Sequence, residues 1–188
     1  MKQIKLLILL LCIALGANNL FAYSYAAAGK EPTIDSREKI LKFVNQNDFT
    51  EAINEFTKAK KNYDYLSGLH NKKLITSLKT SIETKNIKEI NKWLNISIAA
   101  EINRRLDGGL KNIKVYNVSK VMLAKANKFF RLLEPSLSKE KRKNLSFAIK
   151  NCIKAIGNPG LFGVGAKPAN KDDFIKHQKQ ALEILNSL

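Results

Sequence analysis

Few side chains in this chain could carry chemistry, and their spacing narrows what that chemistry would be. Glu51 and Glu55 stand four residues apart, so on a helix they share a face and could offer two carboxylates to a cation. Asp173 and His177 repeat the spacing with a mixed oxygen and nitrogen pair, and His70 is the other of the two histidines. With Glu101, these residues form the donor set that a bound iron or copper would draw on. Two ligands in a stretch do not make a site, and neither histidine follows a Glu by three residues, so the Glu-x-x-His pairs of di-iron bundles are missing. Around Glu101 the charges knot together. Glu101 and Arg105 have the order and spacing of a helical ion pair, Arg104 turns in another direction, and Asp107 follows. Arg104 and Arg105 are therefore either a clamp on a neighbouring helix or an anion site.

Nucleophilic and cofactor chemistry find less support. Cys152 lies in an apolar stripe with no His and no cation three or four residues away on its helical face to hold a thiolate, which reads as a small buried hydrophobe. No C-x-x-C or paired Cys/His spacing occurs, and there is no Gly-x-Ser-x-Gly elbow. Residues 160 to 167 read Gly-Leu-Phe-Gly-Val-Gly-Ala-Lys, without the Gly-Lys-Ser/Thr end of a phosphate loop and without a strand before them. The expectation is a protein with no catalytic residues and no cofactor, metal binding being the alternative.

Charge points toward partners. The chain has 188 residues with 33 Lys+Arg against 16 Asp+Glu, a net charge of +17. Such a field favours anionic partners, whether an acidic envelope protein, an anionic surface polymer, acidic lipid headgroups or nucleic acid. The simpler account is solvated helix faces in a Lys-, Asn- and Ile-rich composition. Lys139, Lys141, Arg142 and Lys143 are the densest cluster and the candidate polyanion contact. Arginine is scarce and no nucleic-acid motif appears, so nucleic acid is not an expected partner.

The elements that must position these residues are helical. Residues 1–28 have the order of a secretory signal peptide: Lys2 and Lys5, an apolar run from Leu6 to Gly16, then Ala22 and Ala26 to Ala28, with cleavage expected between 22 and 28. A secreted or periplasmic location follows as the expectation, with residues 29–188 as one domain. Removal of the leader takes Cys12 with it and leaves Cys152 without an internal disulfide partner. No later segment approaches 18 apolar residues, so no transmembrane span is expected in the mature chain.

From there apolar residues recur at intervals of three and four, and no run alternates with period two. Asp35, with Glu38 as a capping-box partner, is expected to open a first helix, and Asp48 a second carrying Phe49, Ala52, Ile53 and Phe56 inward. A third spans Leu69 to Ile82. Asn86 starts the longest, which Asp107, Gly108 and Gly109 should stop. A fifth places Val115, Val118, Val121, Met122, Phe129, Leu132 and Leu133 inward and ends at Pro135. Ser136 or Ser138 caps a sixth, and Asn170 a seventh. The fold class is all-α, a compact bundle of six or seven helices. The stretches 47–53 and 85–91 share a polar start followed by an apolar and an acidic residue, a spacing that helical hairpins explain without a repeat array.

The segment 157–171 is the one stretch that helix packing does not account for. It holds Gly157, Gly160, Gly163 and Gly165 together with Leu161, Phe162, Val164 and Lys167. Either Phe162 and Val164 plug the end of the bundle while the glycines take positive φ, or these residues meet a partner.

Four features in order, the cap at Asn47-Asp48 with Ala52, the Glu101/Arg104-Arg105-Leu106 turn, Lys125-Ala126-x-x-Phe129-Phe130 and the Gly157-Asn158-Pro159-Gly160 loop, resemble the secreted helical domains that accompany bacterial iron permeases. The resemblance covers roughly residues 36 to 188 by pattern. It implies an envelope helical bundle that assists metal uptake. The chain departs from the permeases themselves in having no membrane spans and no Arg-Glu-x-x-Glu motif, so it implies an accessory role only.

Overall fold

The computed structural model describes residues 31–161 and 163–188, and the compact unit is Thr33–Leu188. The expected signal peptide and its cleavage site lie outside the described residues. Among the described residues there are seven α-helices and no strand: α1 Pro32–Asn45, α2 Phe49–Leu69, α3 Leu74–Glu83, α4 Ile87–Lys111, α5 Tyr116–Leu133, α6 Lys139–Ala155 and α7 Lys171–Asn186. The all-α bundle is as expected. None of these helices is long and apolar enough to cross a membrane.

Side-chain caps set most of the starts. Asp48, Asn86, Ser138 and Asn170 each accept a hydrogen bond from the backbone N–H three residues on, which satisfies a donor that the helix cannot. Asp35 does not cap. The first helix begins earlier, at Pro32, and Asp35 sits in its first turn, where a carboxylate favours the positive end of the helix dipole.

The corners before α2 and α4 are alike. Asn47 and Lys85 take left-handed φ of 58° and 56°. The next N–H reaches back five residues in each case, Asp48 to the Phe43 carbonyl and Asn86 to that of Ser81, both at 2.9 Å. This 6→1 closure leads directly into an N-cap, so the pattern shared by 47–53 and 85–91 is one corner used twice.

Buried apolar residues form two clusters that meet along α4. The first joins Ile40 and Val44, Phe56, Tyr63 and Leu66, Leu74, Leu78 and Ile82 to Ile90, Trp93 and Leu94. The second joins Ile98, Ile102 and Leu106 to Leu123, Phe129 and Phe130, Leu145, Ile149 and Cys152, and Phe174 and Leu185. Thus the N-terminal half of α4 serves one cluster and its C-terminal half the other, and most of its residues from Trp93 to Leu106 are buried. A helix apolar nearly all round belongs in a core.

Three expectations about individual residues are corrected by this packing. Asp107, Gly108 and Gly109 do not stop α4, which continues to Lys111. The glycines are instead where α5 and α7 come close. A Cβ on Gly109 would stand 3.1 Å from Leu123 Cδ2 and 3.2 Å from Phe174 Cζ, and one on Gly108 would stand 3.2 Å from Met122 Sδ. The inward face of α5 is shifted too: Val115 and Val121 are exposed, whereas Ser119, Leu123 and Ala126 are buried with Phe129, Phe130 and Leu133. Small residues are needed where two backbones approach, and the Ser119 hydroxyl is satisfied by donating to the Gly109 carbonyl at 2.8 Å. Leu69 closes α2 and is exposed instead of opening α3.

Gly109→Val should therefore lower stability in thermal denaturation by about 2 kcal/mol, through overpacking against Leu123 and Phe174. Gly68→Ala, in helix with open space around its Cα, should raise it by about 0.5 kcal/mol. Equal effects at the two positions would contradict the close approach.

Candidate functional site

The knot on α4 is a buried junction. Glu101 is fully buried and its carboxylate is saturated. Arg104 donates to Oε2 from Nε at 2.9 Å and from Nη2 at 2.6 Å, and Arg105 Nε stands 3.7 Å from the same oxygen. Oε1 accepts from the Thr33 hydroxyl of α1 at 2.6 Å, and Asn62 of α2 donates to that hydroxyl oxygen at 2.8 Å. The arginines reach further: Arg104 stacks over Tyr65 of α2 and Arg105 over Phe129 of α5, each at 5.9 Å. Helices α1, α2, α4 and α5 are thus tied at one carboxylate. Arg104 and Arg105, weighed as an anion site, already hold their anion in Glu101.

The remaining metal candidates are dispersed. Glu55 is buried and paired with Lys39 at 3.3 Å and Lys58 at 3.6 Å. Glu51 accepts from Asn54 in the first turn of α2. Asp173 forms a capping exchange with Asn170, accepting its amide at 3.0 Å while its own N–H donates to Asn170 Oδ1. His177 meets Gln180 at 2.9 Å and lies edge-on to Phe147 of α6, ring centroids 5.8 Å apart. His70 ends α2, where burial pushes its imidazole pKa down and a backbone contact with Leu185 partly offsets this. Among the described residues, no three His, Cys, Asp or Glu side chains come together as a possible metal site.

Cys152 is fully buried, and burial pushes its thiol up to about 12, the opposite of what a nucleophile needs. Its Sγ lies 3.8 Å from the Phe174 carbonyl. The basic cluster on α6 divides: Lys141 folds back to donate to the Ser187 carbonyl at 3.0 Å, while Lys139, Arg142 and Lys143 are exposed.

The loop between α6 and α7 is a small hairpin. Asn158 and Lys167 exchange both backbone hydrogen bonds at 2.8 and 2.7 Å, and Leu161 and Val164 do the same at 3.1 and 3.0 Å. Gly157, Gly160, Gly163 and Gly165 all have φ between 73° and 83°, as their number in this stretch suggested. At Gly157 and Gly160 there is also no room: a Cβ would collide with the backbone of Lys167 and Val164 respectively. The base is anchored by the Asn170 N–H, which donates to the Ala155 carbonyl at 2.8 Å. Phe162 lies outside the described residues.

Val164 does not plug the bundle. It is 79% exposed and Leu161 75%. Beside the hairpin runs an open groove of about 570 Å³ whose walls include Ile113, Tyr116, Ile156, Pro159 and Pro168. Lys114 and Lys167 stand on it, and among the described residues no carboxylate lines it.

Sequence reasoning missed the wall that Ile113, Lys114 and Tyr116 supply, because the turn joining α4 to α5 carries no motif. It also missed a groove of about 370 Å³ between α3 and α4, lined by Thr76, Ser77, Thr80, Ser81 and Thr84 opposite Glu89 and the sole tryptophan, Trp93. Its signal was the hydroxyl residues recurring every four positions. No protein-family model matches the chain, and neither the curated proteins nor the solved structures contain a match to it.

The Glu101 junction is the sharpest structural claim. Glu101→Gln keeps the shape but removes the buried carboxylate charge that Arg104 and Arg105 share, the Arg105 side chain being 9% exposed. Unfolding in urea should show a loss of about 3 kcal/mol. A loss below about 1 kcal/mol would show that the arginines find other partners without cost.

Proposed function

We propose that this protein is a secreted or periplasmic helical binding module that works by contact, without catalytic chemistry. Its binding surface in this reading is the hairpin 158–167 with the adjoining groove, and its partner is an acidic protein of the cell envelope. The observation that carries the reading is the state of Leu161 and Val164. Two large apolar side chains are held together in solvent by a doubly bonded turn whose glycines can hardly be replaced, where an unspecialised loop would present polar residues. Charge supports the choice of partner: among the described residues the groove carries two lysines and no acid, within a chain of net charge +17. The leader-like order of residues 1–28 supports the location.

A photo-crosslinking residue placed at Val164 and expressed in the native host should give a discrete adduct with an acidic envelope protein. Leu161→Ser should reduce that adduct at least tenfold with the melting temperature unchanged. No adduct at Val164, or an equal yield from the exposed Lys72 position in the turn between α2 and α3, would contradict the reading.

A further inference from the structure

The solvent-facing side of α6 carries a stripe of four lysines and a phenylalanine. Lys139, Lys143, Phe147, Lys150 and Lys154 follow one another at intervals of four, four, three and four residues. At 100° per residue they fall within an arc of about 80° and run for about 22 Å along the axis. All five are exposed, Phe147 at 58%. None of the four lysines is in an ion pair among the described residues, whereas Lys39, Lys58, Lys60, Lys79 and Lys92 on the earlier helices all are. The single acid of α6, Glu140, lies outside the arc. Phe147 meets His177 of α7 with the two rings near perpendicular, and it stays largely exposed despite that contact.

We propose that this stripe is a docking surface for an anionic membrane surface. The charge complementarity is direct: a row of unpaired ammonium groups meets a plane of phosphate headgroups. What separates a bilayer from a soluble polyanion is Phe147. An aromatic ring in the middle of the row gains nothing from a polyanion in water, but it enters the boundary between headgroups and acyl chains while the flanking lysines stay at phosphate level. The stripe is distinct from the hairpin, so α6 would hold the module at the membrane while residues 158–167 remain available.

Sedimentation of the protein with vesicles of phosphatidylcholine containing one-third phosphatidylglycerol tests this, with pure phosphatidylcholine vesicles as the control. Binding is expected to the first and not to the second, and to fall steeply with salt. Lys143→Gln with Lys150→Gln should weaken the partition about 25-fold, about fivefold per lysine. Phe147→Ala should weaken it several-fold at unchanged net charge. Thermal melting of each variant should match the parent. The proposal is overturned if no binding occurs, or if Lys72→Gln with Lys88→Gln costs as much as the stripe pair, which would reduce the effect to net charge. It is also overturned if Phe147→Ala leaves vesicle binding unchanged while heparin binds as tightly as vesicles, which would assign the stripe to a soluble polyanion.

Discussion

Everything in this fold leans on a carboxylate at the middle of a buried helix. Helix α4 contributes most of its buried length to both apolar clusters, and Glu101 stands where its allegiance changes from one to the other. An uncompensated charge there would cost several kcal/mol. The chain compensates it with Arg104 and Arg105 from the next turn and with Thr33 from α1. The arginines then spread over Tyr65 and Phe129, so the charge that had to be neutralised becomes the tie between α2, α4 and α5. Close packing of α4 against α5 and α7 at Gly108 and Gly109 completes the spine.

That rigidity bears on the two proposed binding surfaces. A hairpin whose base is bonded to the last turn of α6 presents Leu161 and Val164 in a fixed direction and loses little freedom on binding. The same helix carries the lysine and phenylalanine stripe on its outer face. Both surfaces are thus mounted on α6, which is held in the second cluster by Leu145, Ile149 and Cys152.

Much of the fold was legible in the sequence because its signals are local. The caps at Asp48, Asn86 and Asn170 are encoded within four residues, and the apolar stripes of α2, α3 and α4 follow the helical period. The failures share a different cause. Gly108 and Gly109 look like a terminator because glycine is a poor helix former, yet they are there for the residues of two other helices. Ser119 looks like an outward position on α5 because it is polar, yet its hydroxyl has a carbonyl to meet on α4. At the candidate site, the Glu101–Arg105 pair was visible from its spacing, but its burial was not, since that depends on Thr33 and Asn62 from 68 and 39 residues earlier. The glycines of 157–165 announced left-handed backbone, whereas the exposure of Val164 had no local signal.

The claim that α4 and its buried carboxylate make one cooperative body of two clusters can be measured directly. Trp93, the sole tryptophan, reports the first cluster by fluorescence, and in a Cys12→Ser background Cys152, buried with its thiol pKa raised by burial, reports the second by its reaction with a thiol reagent. The account predicts that both signals change at the same urea midpoint in the parent protein. Separate midpoints, with one cluster open while the other still protects its probe, would contradict it.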